Sequence, residues 1–165
     1  MLRWLTWLLI RRRDLLWPIP DTHRLAVVVR AIERMGGSLE LLDLSALGKL
    51  SESESVQLVT ALSQLKAGAL KELIMPCLTP FKTVTKLLET LTSLERLDLS
   101  KNTLGDEGAV ELASVLGELC ALRRLDLGGK NNIGGDGCKA LAGALVGLQH
   151  LGTQFTALLV QTYKY

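Results

Sequence analysis

Residues 94–108 read L-E-R-L-D-L-S-K-N-T-L-G-D-E-G, and residues 122–137 read L-R-R-L-D-L-G-G-K-N-N-I-G-G-D-G, the same phrase lengthened by one glycine. Two copies 28 residues apart imply a stack of like units, each too small to bury its own apolar face. A leucine staircase leads into each copy: Leu88, Leu91, Leu94, Leu97 and Leu99, then Leu116, Leu119, Leu122, Leu125 and Leu127. Steps of three suit a helix and its exit. The alternation Leu97, Asp98, Leu99 suits a short strand with its leucines facing inward. The unit is therefore strand, turn, helix.

The helix carries an i, i+3, i+4, i+7 apolar stripe, read from Ala109, Leu112, Ala113 and Leu116. The same stripe fits Cys138, Leu141, Ala142, Leu145; Phe81, Val84, Thr85, Leu88; Ser55, Leu58, Val59, Leu62; and Leu25, Val28, Val29, Ile32. Of these 20 positions 18 are apolar, in a chain that is 48% hydrophobic. Strand triplets agree independently: Leu39, Leu42, Leu44; Leu70, Leu73, Met75; Leu94, Leu97, Leu99; and Leu122, Leu125, Leu127. They begin 31, 24 and 28 residues apart, a scatter that falls in turns, where insertions do not disturb a stacked face. A fifth triplet, Leu151, Gln154 and Thr156, has lost the pattern.

The pattern resembles the leucine-rich repeat L-x-x-L-x-L-x-x-N/C-x-L, and its period with a full helix is similar to the ribonuclease-inhibitor-like class. That class supplies the repeat arrays of NOD-like receptors and of Ran GTPase-activating proteins. The resemblance covers residues 21–151 and is strongest over 88–145. It implies an α/β leucine-rich-repeat solenoid, a horseshoe fragment with a short parallel sheet on its concave face and helices on its convex face. Asn102 and Asn131 match the family's asparagine, which the resemblance makes a structural residue bonding backbone groups in the turn. Leu47 and Leu78 hold that place in the earlier copies, so no asparagine ladder can run the full length.

Helix starts are marked by Asp106 and Asp136 as N-caps and by Ser51 with Glu54 as a capping box. The expected division is an N-terminal amphipathic helix or cap over 1–20, a repeat domain of four to five repeats over 21–155, and an irregular tail over 156–165.

A formal charge of +2 gives no reason to expect nucleic acid as partner. The basic excess is concentrated in residues 1–36, which hold seven Arg and no Lys against three acids. Cys77, Cys120 and Cys138 make an odd count without a C-x-x-C pair, which favours a reducing compartment and a cytoplasmic location. Cys138, on the helix stripe, is expected as a small core residue.

The opening M-L-R-W-L-T-W-L-L-I, followed by three arginines, has three readings. As a secretory leader it lacks a small-residue cleavage site. As an amphipathic helix, residues 1–13 would lie on a membrane surface. The preferred reading is a cap over the exposed first repeat, carried by Leu5, Leu8, Leu9, Leu15 and Leu16, with Pro18 and Pro20 ending it. At the other end, the β-prone tail either pairs as a last irregular strand or leaves an open edge that invites self-association.

No G-x-S-x-G elbow, G-x-x-x-x-G-K-[ST] loop or H-E-x-x-H helix is present, and His23 and His150 lie apart from any cysteine or paired carboxylate. The expectation is a chain without catalysis, cofactor or metal. The outward strand positions remain: Leu41 and Asp43, Glu72 and Ile74, Arg96 and Asp98, Arg124 and Asp126. The aspartates repeat at one strand position, interrupted by Ile74, and the repulsion of Asp98 and Asp126 should be offset by Arg96 and Arg124 on the same face. Several side chains on one rigid face suit recognition of a protein partner. The alternatives are a GTPase-activating regulator of the Ran type, for which none of the chain's arginines matches a catalytic motif, and a membrane-peripheral protein anchored by its first helix.

Overall fold

The computed structural model describes residues 21–35, 39–65, 70–75 and 81–149. The capping segment 1–20, the tail from 150 onward, Leu78, Cys77 and the triplet at Leu151 lie outside the described residues. Element order is α1 (Asp21–Met35), β1 (Leu41–Asp43), a 3-10 turn (Ser45–Leu47), α2 (Glu52–Ser63), β2 (Glu72–Ile74), α3 (Phe81–Leu88), β3 (Arg96–Asp98), α4 (Gly105–Leu116), β4 (Arg124–Asp126) and α5 (Gly135–Gln149). The strands form one four-stranded parallel sheet in chain order β1-β2-β3-β4. Leu42, Leu73, Leu97 and Leu125 stand in register. Each helix packs on the helices before and after it in the chain.

Every residue of the four strand triplets is buried, and with the helix leucines they form one continuous core. The two polar members of the helix stripes, Ser55 and Thr85, are buried as well. Their hydroxyls donate back to the carbonyls of Ser51 and Lys82 at 2.8 Å each, so neither sits in the core without a partner. The last stripe departs from expectation. Of its four residues Leu141 is buried, Cys138 and Leu145 are half-buried, and Ala142 is exposed.

The capping box at α2 is complete. Ser51 N–H donates to Glu54 Oε2 at 2.9 Å, Ser51 Oγ–H to the same oxygen at 2.6 Å, and Glu54 N–H reaches Ser51 Oγ at 3.4 Å. Asp106 and Asp136 are not N-caps of their own helices; both lie within the first helical turn. Asp106 instead serves the next repeat. Its Oδ1 accepts from Gly134 N–H at 2.7 Å and Gly137 N–H at 3.0 Å, at the start of α5. A Cβ on Gly137 would stand 2.7 Å from that oxygen and 2.8 Å from Ala109 Cβ, so this close approach of α4 and α5 requires glycine there.

Asn131 ties adjacent turns together. Its Nδ2–H donates to Leu99 O and Leu127 O at 2.9 Å each, and its Oδ1 accepts from Asn102 N–H at 2.8 Å. Asn102 Nδ2–H donates to Ser100 O at 3.0 Å. In the first repeat Leu47 closes the 3-10 turn and packs on the core. The glycine that lengthens the second copy falls in the same region. Gly129 has φ +77°, and a Cβ there would meet Lys101 Cγ at 2.8 Å.

Candidate protein-binding face

In-register parallel strands place residues of equal repeat position in rows across the sheet. One outward row is Leu41, Glu72, Arg96, Arg124, and the next is Asp43, Ile74, Asp98, Asp126. Neighbouring strands stand about 4.8 Å apart, and the two rows about 6.6 Å along the strand. Glu72, Ile74, Arg96, Asp98, Arg124 and Asp126 line a depression of about 100 Å³ over β2, β3 and β4. Leu41 and Asp43 belong to the same rows but lie outside that depression.

The charges are compensated differently from the sequence expectation. Arg96 does not bridge to the aspartates: its Nη1–H donates across the sheet to Glu72 Oε2 at 3.2 Å, with the two side chains 49% and 27% exposed. An ion pair so exposed contributes at most about 1 kcal/mol. The aspartates are used locally. Asp43 Oδ1 accepts from Ser45 N–H, Asp98 Oδ1 from Ser100 N–H and Asp126 Oδ1 from Gly128 N–H, each at 2.9 Å. One oxygen of each carboxylate therefore closes the turn that ends its strand, which accounts for the recurrence of L-D-L without a metal. Among the described residues no group of three or more His, Cys, Asp or Glu is placed to hold a metal ion.

Sequence reasoning located the rows but missed the Glu72–Arg96 pair. Its signal was present, as opposite charges at the same strand position of consecutive repeats. The Asp turns were missed for a different reason: a side chain bonding two residues onward leaves no mark beyond the Asp-x-Ser or Asp-x-Gly spacing. The Cys120 thiol is exposed and free, and Cys138 is free, half-buried and packed against the edge of the core.

The parallel sheet with its sequential strand–helix units defines a repeat solenoid, and a family model described as Leucine Rich repeat matches residues 90–113 and 119–142. These two stretches contain β3 with most of α4, and β4 with the start of α5. Over those residues the chain carries leucine-rich repeats, and the described residues fold as an α/β solenoid. No curated protein and no solved structure gave a match. Leucine-rich repeats commonly serve protein–protein contact and are generally non-catalytic scaffolds. No helix among the described residues is long and apolar enough to cross a membrane.

Proposed function

We propose that this chain is a non-catalytic protein-interaction module of the ribonuclease-inhibitor-like class, binding a protein partner through the sheet face that carries Leu41, Asp43, Glu72, Ile74, Arg96, Asp98, Arg124 and Asp126. One observation supports the reading above others: six of these side chains converge on a single depression, held by strands whose inner leucines are fixed in the core. A preorganised face orders few groups on binding, which favours affinity. The free thiols of Cys120 and Cys138 suit a reducing, cytoplasmic setting, as in a NOD-like receptor or scaffold. Asn102 and Asn131 act as structural turn residues outside the contact. The membrane-peripheral alternative rests on residues 1–13, outside the described residues, and no described arginine gains a catalytic setting for GTPase activation.

The test is affinity capture from the native source with the wild-type chain and with Arg96→Glu plus Arg124→Glu. Loss of specific partners in the double variant, with an unchanged melting temperature, is the expected result. Recovery of the same proteins by both would end the concave-face reading.

A further inference from the structure

The row that precedes the binding rows is Glu40, Lys71, Glu95 and Arg123, one residue ahead of each strand. Its charges alternate in sign from strand to strand, the order that mutual attraction across a sheet favours. The next two rows break that order at β3 and β4. Arg96 faces Arg124, and Asp98 faces Asp126, as directly opposed like charges. Like charges in such positions destabilise a sheet, and the neighbouring row shows that alternation is attainable in this fold.

The two like-charged pairs are also incompletely neutralised. Glu72 engages Arg96, and Oδ1 of each aspartate is bound into its turn. The Arg124 guanidinium and the second oxygens of Asp98 and Asp126 make no hydrogen bond or ion pair among the described residues. They line the same depression. A cation therefore stands about 6.6 Å along the strand from a pair of anionic acceptors, two residues of extended backbone apart. Alternate side chains on one face of an extended peptide have that same spacing.

Resting on the concave-face reading, we infer that the partner segment is an extended peptide with an acidic and a basic side chain two residues apart. The acidic group sits on Arg124 as a charge-assisted pair. The basic group sits between Asp98 and Asp126 and removes their repulsion. The bound peptide thus sets a charge of opposite sign against each of the two like-charged pairs.

Short capped peptides with Glu-Thr-Lys, Glu-Thr-Glu, Lys-Thr-Lys or Gln-Thr-Gln at their centre, titrated into the full chain at low salt, test this directly. The mixed peptide is expected to bind roughly tenfold more tightly than the uncharged one, as two exposed ion pairs allow, and to lose that advantage at high salt. Arg124→Glu should transfer the preference to Lys-Thr-Lys. Equal or absent binding of all four peptides, or an unchanged order in Arg124→Glu, overturns the inference. Loss of native partners in Arg96→Glu plus Arg124→Glu alongside a flat peptide ranking would defeat the charge assignment and leave the concave-face reading standing. Retained partners would defeat that reading itself.

Discussion

The Asn131 amide is 2% exposed and meets two repeats at once, donating to the carbonyls of Leu99 and Leu127 and accepting from the backbone of Asn102. These backbone groups sit beyond the strand ends, where no ladder bond reaches them and water is excluded. Removing the side chain leaves buried acceptors and a buried donor unsatisfied, at roughly 1 to 3 kcal/mol for each group stranded. Asn131→Ala is therefore expected to cost about 2 to 3 kcal/mol in urea unfolding. Asn131→Asp should be no better, because a carboxylate oxygen would then face the Leu99 and Leu127 carbonyls in place of a donor. A loss below about 0.5 kcal/mol in either variant would show that these groups find other partners.

Among the elements, α5 depends on a side chain that is not its own. Asp106, in the first turn of α4, binds two N–H groups at the α5 N-terminus, supplying both a hydrogen-bond acceptor and a negative charge where the helix dipole is positive. Asp106→Ala should destabilise the chain by about 1 to 2 kcal/mol, and Asp106→Asn, which keeps an acceptor oxygen, by less. Gly137→Ala tests the same junction sterically, since the added methyl meets Ala109 Cβ and the Asp106 carboxylate; about 1 to 3 kcal/mol is expected. Thermal melts of the three variants check the order. The start of α2 behaves differently with pH. The Ser51 side-chain hydrogen bond, and then its backbone N–H, hold the Glu54 carboxyl below its ordinary value of 4.5. A depressed carboxyl contributes stability above that ordinary value and loses it as pH falls through the lowered one. Between neutral pH and pH well below 4, wild type should lose more of its urea midpoint than Glu54→Gln, and equal losses would remove Glu54 from the acid response.

At the scale of the whole molecule, what was legible in the sequence follows from what repetition can encode. Leu39 through Leu127 announced the core because steps of three and two translate directly into helix and strand geometry, and the rows of the outward sheet face came with the same register. Contacts between repeats were not legible. Asp106 reads as a cap for the helix it begins, and only the stacking of α4 on α5 aims it at Gly134 and Gly137. Arg96 reads as the partner of nearby aspartates, but its guanidinium reaches across the sheet to Glu72 instead. The stripe ending at Ala142 and Leu145 looks as buried as the others, because periodicity marks an apolar face without saying how much of it its neighbours cover. That coverage has an energetic consequence. In a stack each unit touches only its neighbours, so an inner leucine between two strands loses packing on both sides when truncated. Leu97, in β3 between β2 and β4, is such a residue, whereas Val146 on α5 is exposed. Leu97→Ala is expected to cost about 2 to 5 kcal/mol, lowering the melting temperature by roughly 4 to 20 °C. Val146→Ala should change it by no more than about 2 °C, the effect of a surface substitution of about 0.5 kcal/mol. Differential scanning calorimetry of both variants decides the matter: equal shifts would mean that β3 does not stand at the centre of a cooperative stack.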